Sequence, residues 1–199
     1  MTIDRARFEQ GLTYAAFKAQ MTRNLDRVEE NERRVELRPE DVAAFRGLPR
    51  PVNVVVLAED WCGDVIANLP VLGRIAQESG RLNIRVFLRD QNDDLMQRYL
   101  NQGKYKSIPV FVFLDESFRE LGHWIERPAS VTELRAERRR EIFAAHPEFG
   151  APDASVDQLP EDVRGRLQAE LQKMRDDTTS FANAEVIREI RDLVTRVAA

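Results

Sequence analysis

Ala58-Glu59-Asp60-Trp61-Cys62-Gly63-Asp64-Val65 lies between a strand-forming run and a helix-forming one. Before it stands Val52-Asn53-Val54-Val55-Val56-Leu57, a β-branched run with little polar relief, which predicts a strand buried on both faces. After it, the pattern predicts a helix as far as Gln77, with Gly80 as terminator. Cys62 thus stands near a helix N-terminus that follows a buried strand. The unpaired amides and the dipole there favour a thiolate, the nucleophilic form of cysteine. Gly63 is suited to a tight turn at this point. Glu59, Asp60 and Asp64 act the other way, because negative charges close to a thiol disfavour its ionisation.

Leu82, Ile84, Val86 and Leu88 alternate with polar residues and predict a second strand. Asp93 to Asn101 reads as helix, ending near Gly103. Val110 to Leu114 is a strand entered from Pro109, the one strand position a proline tolerates readily and also a candidate for a cis bond. Phe118 to Ile125 closes a hairpin across Asp115-Glu116-Ser117, and Pro128 opens a helix to about Ala145. On the N-terminal side, Phe8, Leu12, Ala15 and Ala19, widened by Tyr14, Phe17, Met21, Leu25 and Val28, predict one helix over residues 4–30. A short helix from Glu40 to Phe45 follows Pro39 and stops at Gly47.

The order β-α-β-α-β-β-α predicts parallel pairing, an antiparallel edge from the hairpin, and helices on both sheet faces. Composition shifts at Pro147, and residues 147–157 read as a linker. Two amphipathic helices are expected beyond it, one carrying Leu159, Val163, Leu167, Leu171 and Met174, the other Val186, Ile190, Leu193 and Val197. The expected organisation is an N-terminal helical segment (1–47) packed on a core (48–146), followed by a linker and C-terminal helical extension (147–199). The terminal apolar stripes suit packing on the core or an interface between two copies of the chain.

The 199 residues carry 30 Lys+Arg against 34 Asp+Glu, a net charge of −4, with a pI near 5.4. That balance excludes a general polyanion binder, so nucleic acid is not an expected partner. The apolar runs are too short for a transmembrane helix. Met1-Thr2-Ile3-Asp4-Arg5 lacks the apolar centre of a signal peptide, and the cytoplasm is the expected compartment. Cys62 is the single cysteine, and His123 and His146 are the only histidines. An internal disulfide is therefore impossible, and neither a metal site nor a cofactor is expected. Asp60 and Asp64 read as a solvated edge and a helix-terminal charge. Arg135, Arg138, Arg139 and Arg140 read as a solvated helix face, with Glu133, Glu137 and Glu141 at pairing distance.

The strand, then A-x-x-W-C-G, then a helix, with the later Ser107-Ile108-Pro109-Val110-Phe111-Val112-Phe113 and a hairpin containing Gly122, resembles the thioredoxin superfamily over residues 48–146. The N-terminal F-x-x-G-x-x-Y (Phe8, Gly11, Tyr14) is similar to a bacterial branch of thioredoxin-like proteins. The resemblance implies a thioredoxin-like α/β three-layer sandwich with a mixed central sheet and extra helices at both termini. It puts Cys62 at the attacking-cysteine position and Pro109 at the cis-proline position, facing each other beside a substrate groove. Trp61 flanks the thiol, Gly63 follows it, and Ile108 presents backbone to a thiol or extended-peptide ligand. Two departures are informative. Val65 stands where the family has its resolving cysteine, and Val56 where thioredoxins bury a proton-transferring acid. A dithiol reductase of the thioredoxin kind is therefore not expected. The expectation is a monothiol redox protein acting through Cys62 on a protein or a low-molecular-weight thiol or disulfide. A redox-inactive thioredoxin-fold binding module is the alternative.

Overall fold

The computed structural model describes residues 3–152 and 159–197. Residues 153–157 of the expected linker, and Met1 and Thr2, lie outside the described residues. The chain divides into two compact units, Met1–Arg127 with Val186–Ala199, and Pro128–Glu185.

In the first unit, β1 (Val52–Ala58), β2 (Leu82–Leu88), β3 (Val110–Leu114) and β4 (Glu120–Ile125) form one mixed sheet in the order β2-β1-β3-β4. The two central strands are the two continuous apolar runs. Every residue of β3, and every residue of β1 except Asn53, is buried. β1 and β2 are parallel, with Ala58 opposite Leu88. β3 runs antiparallel to β1, with Val110 opposite Leu57, and β4 antiparallel to β3. Parallel pairing was expected throughout β1 to β3 and holds only for β1–β2. The reason lies in the connection. The helix expected over 93–101 is a single turn, α6 (Asp93–Met96), after a 3-10 turn at Arg89–Gln91. A parallel crossover needs about a dozen or more residues running back along the sheet; residues 89–109 are long enough but are spent on the 3-10 turn, α6 and a bridge between Asn101 and Tyr105. This connection instead re-enters the sheet at the end it left, so residues 59–62, 89–91 and 106–109 gather at one edge.

α5 (Gly63–Ser79) ends on Gly80 in the left-handed conformation (φ 65°), whose N–H donates to Ala76 O at 2.9 Å. Pro70 lies inside this helix and has no N–H for the carbonyl of Ile66. Asn31 supplies the missing donor, with Nδ2 2.7 Å from Ile66 O.

The single helix expected over 4–30 is three: α1 (Arg5–Glu9), α2 (Tyr14–Gln20) and α3 (Leu25–Arg34). The first break exists because Leu12 pairs with the edge strand, donating to Val86 O at 2.9 Å and accepting from Val86 N at 2.7 Å. A Cβ on Gly11 would lie 2.6 Å from the Phe87 ring, so this approach requires glycine. Thr13 then caps α2 by accepting from Ala16 N at 3.1 Å. The second break contains Asn24 in the left-handed region (φ 61°). Tyr14 lies against Gly73 of α5, where a Cβ would come within 2.4 Å of its ring. Phe8 packs on Phe118 at 5.5 Å between ring centroids. The three residues of F-x-x-G-x-x-Y are thus the anchors of the N-terminal segment.

α4 (Pro39–Arg46) buries Phe45 and Asp41. α9 (Thr179–Val197) begins in the second unit, and its later part belongs to the first. There Val186, Ile187, Ile190 and Val194 are buried in the same core as the sheet. Arg191 reaches the buried Asp41 at 2.7 Å, and Trp124 Nε1 donates to Glu189 at 2.7 Å. The second unit holds α7 (Ala129–Ala145), α8 (Glu161–Asp177) and the start of α9. Phe143, Phe149 and Leu167 form its core, with Leu159, Val163 and Leu171 packed around them. In the arginine run, Arg138 pairs with Glu141 at 2.9 Å, while Arg139 lies over Phe143 and donates to Pro152 O. Part of that face is therefore built into the unit rather than left to solvent. Among the described residues, no helix is long and apolar enough to cross a membrane.

Candidate functional site

Cys62 is the N-cap residue of α5, with extended backbone (φ −85°, ψ 121°), held by its N–H to Glu59 O at 3.3 Å. The thiol is half-buried, and its Sγ donates to the carbonyl of Ile108 at 3.4 Å. The Ile108-Pro109 bond is cis. The strand-end topology therefore brings together Cys62, Ile108 and Pro109, residues 46 and 47 apart in sequence. Trp61 is 44 % exposed beside the thiol. Gly63 is exposed, and a Cβ there would meet nothing within 4 Å. The turn at this point therefore does not depend on glycine, and the residue leaves the backbone beside Cys62 uncovered. Val65 and Val56 are fully buried side chains, part of the core.

The three acids around Cys62 have separate fates. Asp60 accepts from Thr22 N at 2.8 Å, Thr22 Oγ1 at 3.1 Å and Arg23 N at 3.2 Å, while its own carbonyl accepts from Asn24 Nδ2 at 2.8 Å. It is the clasp that holds the α2–α3 connection at the site. Glu59 is buried and accepts from Asp90 N at 2.8 Å; burial pushes its carboxyl above the ordinary value. Asp64 pairs with Arg127 at 2.8 Å.

Burial also pushes the Cys62 thiol up. The Val65 and Asp64 amides at the helix start pull it down, the Asp64 carboxylate pushes it up, and the Arg89 guanidinium pulls it down. Burial prevails over the helix-terminal amides.

Several contributors carry no motif in the sequence. Arg89 follows directly on β2, and its guanidinium lies over the Trp61 ring at 4.7 Å. Glu126 stands in the left-handed region (φ 64°), which non-glycine residues seldom occupy. It is held there by its N–H to Pro109 O at 2.8 Å and by Asn68 Nδ2 on its carbonyl at 2.8 Å. Its carboxylate accepts from Asn101 Nδ2 at 2.8 Å and contacts Arg127. Burial would raise that carboxyl, but hydrogen bonds from Ser107, Arg127 and Asn101 hold it below the ordinary value. The only signal that finds these residues is their place at the strand ends, which becomes visible once the topology is known. His123 gives its Nδ1 to Glu120 at 2.8 Å and lies edge-on to Tyr99, and His146 stacks on Phe149.

A family model described as thioredoxin matches residues 11–139, more than half of the chain. Among solved structures, the chain is similar to a protein of unknown function from Pseudomonas aeruginosa, with 21% identity and a TM-score of 0.62 over 94% of this chain and 96% of that one. It is also similar to an HIV epitope-scaffold, with 19% identity and a TM-score of 0.63 over 96% of this chain and 97% of that one. At such identities the two structures show a shared fold. No curated protein matches the chain.

Proposed function

The chain belongs to the thioredoxin family, and from that premise we propose that it is a monothiol redox protein of the cytoplasm working through Cys62. The observation that carries this reading is the position of the thiol. It stands at the start of α5, half-exposed beside Trp61, with Sγ 3.4 Å from the carbonyl that precedes Pro109. A disulfide sulfur brought to this point meets the nucleophile and the backbone of the 107–109 segment together. The thiolate of Cys62 attacks one sulfur of the substrate disulfide. The Cys62 S–S bond forms as the original S–S bond breaks, and the second sulfur leaves as a thiolate that takes a proton from water. With a valine at position 65 and Cys62 the single cysteine, resolution falls to a second thiol supplied in trans. That thiol attacks the mixed disulfide, forms a new disulfide with the substrate sulfur and returns Cys62 as thiolate. The substrate is a protein or low-molecular-weight disulfide, and no cofactor is needed.

One observation favours the alternative, a redox-inactive binding module. Burial pushes the thiol up, and its S–H serves as donor to Ile108 O. A single experiment separates the two readings. The protein is incubated with glutathione disulfide between pH 6 and 9.5, and the adduct is followed by mass spectrometry. The expected result is a mixed disulfide on Cys62, absent in Cys62→Ser, removed by added thiol, and forming faster through a half-point above the ordinary thiol value of about 8.5. Failure to form any adduct across that range would overturn the monothiol reading and favour the binding module.

A further inference from the structure

Three loops form the Cys62 edge, and one side chain touches two of them from the third. Arg89 begins the 3-10 turn after β2. Its guanidinium face covers the Trp61 ring at 4.7 Å. Its Nη1 donates to the carbonyl of Lys106 at 3.3 Å, two residues before Ile108. Its Nε and Nη2 both donate to Asp90 Oδ1, at 2.8 and 2.7 Å, which fixes the plane of the fork. The next residue continues the bracket, since Asp90 N donates to the buried Glu59 carboxylate in the 59–62 turn. The side chain of Arg89 is only 21% exposed.

We propose that Arg89 is the positioning residue of the Cys62 site, locking Trp61 and the 106–109 loop in place around the thiol and holding a fixed positive charge on the same edge. This inference rests on the reading of Cys62 as the working thiol. The groups that face Cys62 are few. On its own helix stand the Asp64 and Val65 amides and the Asp64 carboxylate, which pairs with Arg127. Across from them stand the Ile108 carbonyl, an uncharged acceptor, and Arg89. Glu59 is turned to Asp90 N and Asp60 to the 22–23 amides. Arg89 is thus a cation that pulls the thiol down, against burial and the Asp64 carboxylate, which push it up. A lysine could keep the charge but lacks the planar fork that joins Asp90, Lys106 and the indole at once.

The experiment is the rate of Cys62 alkylation by iodoacetamide against pH, with Trp fluorescence and near-UV circular dichroism as checks on the loop. Arg89→Gln is expected to raise the half-point. It should slow alkylation at pH 7 by about threefold if the half-point rises by about 0.5 on the pH scale. Arg89→Lys is expected to recover most of the half-point while leaving the fluorescence altered, because the indole loses its planar cover. Asp90→Asn removes the acid that pairs with Arg89 and is expected to move the half-point downward, a direction that loosening of the loop alone would not give. An unchanged half-point in a natively folded Arg89→Gln, an Arg89→Lys as slow as Arg89→Gln, or an unchanged or raised half-point in Asp90→Asn would each overturn the proposal. Because alkylation needs no substrate disulfide, these outcomes stay readable even if the glutathione experiment finds no mixed disulfide.

Discussion

Asn31 shows how one polar side chain carries a structural load that no motif announces. A proline inside a helix removes a hydrogen bond and leaves the carbonyl four residues earlier unmatched. In α5 that carbonyl is Ile66 O, and the Asn31 amide meets it at 2.7 Å from a neighbouring helix. Removing one partner of a buried hydrogen bond costs about 1–3 kcal/mol, because the remaining group stays desolvated. Asn31→Ala is therefore expected to destabilise the protein by about that amount. Urea melts should show a lowered midpoint at unchanged slope. A midpoint equal to wild type would mean that another donor reaches Ile66. The same scale governs the candidate site. Asp60 and Asp64 stand close to Cys62 in sequence, yet one is taken up by the Thr22 and Arg23 amides and the other by Arg127. Of the two, Asp64 still pushes the thiol up despite that pairing.

The contact between α2 and α5 depends on the absence of a side chain. Gly73 is buried in the middle of α5, where glycine normally costs about 1 kcal/mol relative to alanine. Here the ring of Tyr14 occupies the space a Cβ would need, at 2.4 Å. Gly73→Ala is expected to lose stability despite its better helix propensity, by about 1–3 kcal/mol, the usual cost of overpacking. The double variant Tyr14→Ala/Gly73→Ala should show a smaller penalty than the sum of the single ones, measured as a double-mutant cycle. Strict additivity would place the cost elsewhere. The same element-level logic explains the N-terminal segment. Amphipathic spacing from Phe8 to Val28 is compatible with one long helix. The edge of β2, however, offers unpaired backbone groups, and Leu12 satisfies them only by leaving the helix.

Across the whole chain, the later part of the last helix, from Val186, belongs to the first unit's core. Beyond its apolar face, it brings Arg191 to Asp41, a carboxylate 1% exposed that also accepts from Arg38 at 2.8 Å. Burial alone would raise that carboxyl; the hydrogen bonds and charges of Arg38 and Arg191 outweigh it and hold it below the ordinary value. A depressed carboxyl stabilises the fold above its unfolded value, near 3.9, and that contribution is lost as pH falls through the folded value. Asp41→Asn is expected to cost about 1.5–3 kcal/mol at pH 7, the range for a hydrogen bond to a charged group. The gap from wild type should close on acidification below about pH 4, as followed by urea melts at several pH values. A gap that stays constant down to pH 2.5 would rule out the ion pair as its source.

The sequence by itself determined the central strands, the helix starting at Cys62, the hairpin and the thioredoxin likeness. These rest on local chemistry: continuous β-branched runs, a proline at a strand entrance, a glycine at a helix end. It also determined that Cys62 has no second thiol in the chain. The tertiary structure decided the direction of β3, the division of the N-terminal helix and the environment of the thiol. Each of these depends on groups that local periodicity does not report: the turns of residues 89–109 that take the place of a crossover helix, Leu12 against Val86, and Arg89 against Trp61 and Lys106. Periodicity reports which face of an element is apolar. It carries no record of where a strand end, a carbonyl without a donor or a guanidinium meets its partner, because those meetings are made by the fold.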